Sequence, residues 1–254
     1  VVTMPRKAQY DIAAAFGVSP VWIPPLASVQ TLADRVSHYG TTLHHGEKPM
    51  WVSAPLTVHR RCDNPMFRLC NEIAYGSMMV SGVQRRLDDP DNPDLFDDPH
   101  ERKISPSHWI DVPARTPGTH LQDNQIEELR KQIEQLQAQG VAMSQIIAIS
   151  PFRVVANALG SLRGRYPGLR GGTIHTAQGR EADVVFLVLG GDPGAPGAKA
   201  WASSTVNLVN VAASRAKRRL YVIGDRAAWA PYPYFNGLAA ALGRQPGAAP
   251  EAGG

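Results

Sequence analysis

The stretch Gly172-Thr-Ile-His-Thr-Ala-Gln-Gly-Arg-Glu181 gathers two hydroxyls, an imidazole, a carboxamide and a carboxylate around a glycine. Thr173, His175, Thr176 and Gln178 are groups that donate hydrogen bonds to phosphate oxygens, and Gly179 permits a tight turn or a close backbone approach. Farther along, Asn207 to Arg219 carries Asn210, Ser214, Arg215, Lys217, Arg218 and Arg219. A planar guanidinium such as that of Arg215 clamps two phosphoryl oxygens at once. Lys217, Arg218 and Arg219 are expected to close a helix as charges that complement its dipole. A third group, Leu56-Thr-Val-His-Arg-Arg-Cys62, ends in paired arginines. A fourth, Ile147-Ala-Ile-Ser-Pro-Phe152, sets Ser150, Pro151 and Phe152 where an apolar run stops. Phe152 offers either a stacking face for a base or one more core ring. Taken singly, each group also has a plain structural explanation: a polar connection, a basic helix end, a surface charge pair, a core aromatic.

The elements that must position these residues alternate. Helices are expected over residues 6–16 and 28–39, with Ser28 as N-cap, and over 64–75. A short strand is expected over 54–58. Residues 84–102, rich in Asp and Pro, read as a solvated acidic insertion. From Trp109 the pattern is regular, with strands over 109–112, 146–149, 172–175, 184–189 and 220–223. Helices over 124–139, 151–163 and 206–217 lie between them. Ile126, Leu129, Ile133 and Leu136 recur at three- and four-residue spacing, and Gly140 stops that helix. Strands alternating with helices make an α/β fold with a mostly parallel sheet covered on both faces. The expected organisation is one domain over 1–243 and a flexible Ala/Gly/Pro-rich tail over 244–254.

Composition narrows the classes. The chain has 254 residues, a net charge of +4 and 43% hydrophobic residues, enough to bury a core. No apolar run approaches the roughly 18 residues that cross a bilayer. Cys62 and Cys70 are the two cysteines, at no zinc spacing. With no secretion signal at the start, a reducing cytoplasm is the expected setting. The Gly-rich run 190–199 lacks a Gly-Lys followed by Ser or Thr, so it is no P-loop and reads as a flexible loop. His44-His45 reads as a pair in a polar loop without metal partners.

In order along the chain, residues Leu56 to Asp225 resemble superfamily 1 helicases of the Upf/Nam/Dna-type branch. Thr173-Ile-His-Thr-Ala-Gln-Gly-Arg-Glu181 is similar to helicase motif V, and Asn210-Val-Ala-Ala-Ser-Arg-Ala-Lys217 to motif VI. Leu56 to Tyr75 is similar to motif IV and its helix, with His59-Arg60-Arg61 where the family has Gln-Tyr-Arg. Ser150-Pro151-Phe152 is similar to the family's Thr-Pro-Tyr. The resemblance implies a second RecA-like domain without its own P-loop. It assigns Arg215 and Arg61 as arginine fingers toward the γ-phosphate, with Arg60 as the alternative to Arg61. It places Glu181, Gln178, Gly179 and Lys217 around the nucleotide, and Ser150, Pro151, Phe152, Thr173, His175 and Thr176 on nucleic acid. The implied ligands are ATP and Mg2+, bound mainly by a first RecA-like domain, and single-stranded DNA or RNA. The opening Val1-Val-Thr-Met-Pro5 resembles the stretch that follows motif III, so this chain alone is expected to hydrolyse no ATP. A helicase-derived module that only binds nucleic acid or protein is the competing expectation, and a free-standing nucleotide-binding enzyme lacks the phosphate loop it would need.

Overall fold

A computed structural model describes residues 7–23, 27–45, 48–53, 57–85, 94–97, 104–176 and 179–243. The expected tail and most of the acidic stretch lie outside the described residues. The chain falls into two compact units, Val1–Thr57 and Val58–Gly254.

In the first unit, α1 spans Lys7–Ala15, and α2 spans Val29–Val36 after a 3-10 turn at Pro20–Trp22. Ser28 caps α2 as its sequence position implies: its hydroxyl accepts from Thr31 N at 3.2 Å and its N–H donates to Thr31 Oγ1 at 2.6 Å. A hairpin follows, β1 Gly40–His45 against β2 Lys48–Ser53. His44 and His45 thus lie in a strand rather than in the expected loop. Asp34 ties α2 to β2 by accepting from Ser53 N and Oγ at 2.7 and 2.8 Å.

The second unit is built on five parallel strands in the order β5-β9-β8-β6-β7. These are β5 His108–Asp111, β6 Ile146–Ser150, β7 Arg170–Thr173, β8 Ala182–Val188 and β9 Ala216–Gly224. Before them come β3 Val58–His59, α3 Met66–Ala74 and β4 Val80–Ser81, with β3 and β4 paired in parallel. Between and after the sheet strands lie α4 Asp123–Ala138, α5 Arg153–Ser161, α6 Pro196–Ala202, α7 Asn207–Arg215, α8 Arg226–Trp229 and α9 Phe235–Leu242. Every residue from Val184 to Leu189 is fully buried, which requires helices over both sheet faces. The apolar stripe Ile126, Leu129, Ile133 and Leu136 is buried on α4, as its spacing demands. The sheet and its flanking helices make the RecA-like α/β fold that the alternation implies. No helix among the described residues is long and apolar enough to cross a membrane.

Three further expectations change. The supposed flexible loop, 190–199, ends inside a helix: α6 begins at Pro196, and Lys199 is buried with Nζ 3.3 Å from Asp192 O. Lys217, Arg218 and Arg219 do not close a helix: α7 ends at Arg215 and β9 begins at Ala216. Most of the acidic insertion is not described, but residues 94–97 are not a solvated surface. Phe96 is 4% exposed, Asp94 clamps both Arg218 Nη atoms at 2.6 and 2.7 Å, and Asp97 reaches Arg218 and Arg219 at 2.9 and 2.8 Å. Both guanidinium groups also lie over the Phe96 ring, 5.0 and 5.5 Å from its centroid. Two arginines buried in a strand demand carboxylates, and the distant acidic segment supplies them.

Candidate functional site

Two edges of the sheet carry the residues singled out above. At the amino-terminal edge, Ala182 of β8 pairs with Ala216 of β9, so their predecessors Glu181 and Arg215 stand side by side. The segment 59–63 is stitched to the same edge. Asp63 N donates to Lys217 O at 2.9 Å, Cys62 Sγ lies 3.8 Å from Ala213 O, and Cys62 N donates to His59 Nε2 at 2.8 Å. That stitching delivers Arg61, whose Nε sits 2.8 Å from Glu181 Oε2. Arg60 is exposed, and no ion pair joins it to this group among the described residues. The structure therefore brings Arg61, and not Arg60, to Arg215.

Arg215 is 8% exposed yet forms no ion pair among the described residues. Its Nη1 donates to Arg180 O at 3.1 Å and its Nε to Val211 O at 3.4 Å. Burial lowers its pKa, and the neighbouring Arg61 charge lowers it further, with Glu181 acting the other way. Guanidinium pKa values start so high that it stays charged. Burial pushes the Cys62 thiol beneath them up to about 12, so it is no nucleophile near neutrality. His59 is held below its ordinary pKa by burial first and by Arg61 second. The neutral ring suits its role as acceptor from Cys62 N. Among the described residues, two cations thus share a single carboxylate in a half-open setting. A bound anion with paired oxygens would relieve their repulsion.

Other expected nucleotide-site residues distribute differently. Lys217 points to Asp183, Nζ to Oδ1 3.3 Å, which occupies its charge. Gly179 has φ +83° with open space where a Cβ would go, so it serves a turn rather than a close approach. Gln178 lies outside the described residues.

The opposite, carboxyl-terminal edge holds the second set. Ser150 and Thr173 are paired end residues of β6 and β7. Ser150 and Pro151 are buried, and Phe152 is 6% exposed. One face of the Phe152 ring stacks on His120 with centroids 4.0 Å apart, and Trp229 and Trp201 lie 6.1 and 6.5 Å away. Phe152 is therefore a core ring with no face free for a base, which corrects the stacking expectation. Accessible groups remain at Thr173, His175 and Thr176. Thr173 and Thr176 form a closed turn, Thr176 N to Thr173 Oγ1 at 3.1 Å and Thr176 Oγ1 to Thr173 O at 2.9 Å. Residues 174–181 connect this turn to Glu181, so one segment links both edges.

Sequence reasoning missed a third feature. A groove of about 580 Å³ runs beside α5 and the edge strand β7, lined by Arg153, Arg163, Arg170, Arg180, Thr173 and Thr176 among others. The arginines are scattered over 28 positions of sequence (153 to 180) and look like ordinary surface charge until β7 and α5 pack together.

None of the curated proteins compared with the chain matches it. A family model described as an AAA domain matches residues 37–227, more than half of the chain. With its RecA-like sheet and the ordered residues on both edges, the chain belongs to that AAA domain family, AAA_12, a helicase-associated family of the superfamily 1 type.

Proposed function

We propose that this chain is the second motor domain of an ATP-dependent helicase or translocase, acting on ATP held chiefly by a first RecA-like domain. The observation that carries this is the approach of Arg61 and Arg215 around the carboxylate of Glu181. The pair fits the phosphate end of a nucleotide. Among the described residues no group of three or more His, Cys, Asp and Glu is gathered to hold an ion. In this reading Mg2+ is held mainly by the first domain, as the resemblance implies, where it would neutralise phosphate charge when bound.

In this reading Arg61 releases Glu181 and turns to the γ-phosphoryl oxygens, and Arg215 meets the same group from the α7 end. Both guanidinium groups stabilise charge that develops as the phosphoryl group transfers. Thr173, His175 and Thr176 hold single-stranded DNA or RNA at the other edge, by phosphate contacts that ignore base sequence. The segment 174–181 joins grip to nucleotide state.

The test uses the protein with its first domain present and Arg215→Ala. Loss of ATPase by roughly 10³-fold or more is the expected result for an arginine finger. ATPase at the wild-type rate removes the assignment.

A further inference from the structure

We propose that the arginine groove beside β7 is a phosphate-backbone site for single-stranded nucleic acid, extending the strand path from the Thr173–Thr176 turn along the free edge of the sheet. This rests on the strand-binding reading above and adds residues that the motifs do not contain.

Four observations carry it. The groove holds four guanidinium groups, from Arg153, Arg163, Arg170 and Arg180, and among the described residues no carboxylate lines it. No ion pair to any of the four is formed among the described residues, whereas Arg61, Arg85, Arg165, Arg218 and Arg219 of the same unit all have one. The contacts they do make are to backbone carbonyls: Arg163 Nη2 to Gly171 O at 3.2 Å, and Arg170 Nη2 to Ser144 O at 2.9 Å and Glu181 O at 3.2 Å. The Nε of Arg170 is buried with no acceptor at all. Most of the donor capacity is thus aimed by the fold and left without an anion.

The shape of the lining selects the ligand. Among the described residues no aromatic ring lines the groove to stack on a base. Glycines at 171 and 172 keep β7 low. A Cβ at Gly171 would sit 2.6 Å from Leu159 O, so no side chain fits between the strand and α5. A chain of phosphates lying over the Gly171–Gly172 stretch, with bases turned outward, would meet the guanidinium donors that face the groove. The expected binding is indifferent to sequence and steeply salt-dependent.

The experiment uses this chain, a fluorescein-labelled oligothymidylate and anisotropy titrations over a range of salt. The variants are Arg153→Gln with Arg163→Gln, and Arg153→Lys with Arg163→Lys, each checked for an unchanged circular dichroism melt. The glutamine pair is expected to bind roughly tenfold more weakly at low salt and to lower the slope of log K against log salt by about 1.4, at about 0.7 for each phosphate that is no longer neutralised. The lysine pair is expected to keep the wild-type slope. Glutamine variants that bind with wild-type affinity and slope would overturn the groove while leaving strand binding at the Thr173 turn intact. Failure of the unaltered chain to bind the oligonucleotide would overturn both. Competition by inorganic tripolyphosphate as effective as that by oligonucleotide of equal phosphate content, or by polyglutamate, would assign the groove to a small anion or an acidic partner instead.

Discussion

Arg215 and Arg218 lie three positions apart, are almost equally buried, and do opposite things. Arg218 is surrounded by carboxylates: Asp94 takes two of its donors, Asp97 another, and Asp63 Oδ2 lies 2.9 Å from its Nε, close in charge although not angled as a hydrogen bond. Asp94 and Asp97 would be raised by burial, yet the hydrogen bonds from Arg218 and Arg219 leave both below the ordinary aspartate pKa. Arg215 has two carbonyls and the repulsion of Arg61. Burial alone does not distinguish a structural arginine from a ligand-seeking one. The number of carboxylates around each does.

This contrast can be broken by substitution. Arg218→Ala leaves the buried Asp94 without its cation, while Asp97 keeps Arg219 and Asp63 keeps Arg85, and is expected to cost about 3–5 kcal/mol in urea unfolding. A cost under about 1 kcal/mol would make the clamp an ordinary surface pair. Asp94→Asn removes one charged partner of several and is expected to cost about 1.5–3 kcal/mol at neutral pH. It should also flatten the acid response. Because the folded Asp94 binds protons less readily than the unfolded one, its stabilisation is full above pH 3.8 and drains away as pH falls below it. Wild-type protein is therefore expected to lose more melting temperature between about pH 5 and pH 3 than the variant. Arg215→Ala loses only two hydrogen bonds to carbonyls, for about 1 kcal/mol of stability, against its large effect on ATPase. Equal unfolding costs for Arg215→Ala and Arg218→Ala would end the distinction. Arg61→Ala, from a pair that is 41% and 45% exposed, is expected to change stability by less than about 1 kcal/mol.

What could be read in the sequence follows from how local its cause is. The α4 stripe and the apolar runs of β6 and β8 announce themselves because the period is written in adjacent residues. The resemblance to motifs IV and VI anticipated that Arg61, with Arg60 as the alternative, lies near Arg215. The hairpin β1–β2 was hidden in a polar stretch without strand alternation. The helix drawn through Lys217 failed at Ala216, where tertiary pairing with Ala182 overrides a helix-compatible sequence. The Asp94 and Asp97 contacts join segments far apart in the chain, and an acidic run looks solvated until its cations are known. Phe152 had two readings, and only the His120 ring beneath it decides between them.

One consequence of the glycine pair in β7 reaches beyond ligand binding. An outermost strand shows unpaired amides and carbonyls that invite another chain to add itself to the sheet. Here that border is four residues long, carries no apolar side chain, and is flanked by like charges, with Arg163 already occupying the Gly171 carbonyl. The positive fringe that would hold a phosphate chain when one is present repels a second copy of the protein when none is, keeping an open sheet from growing into an aggregate.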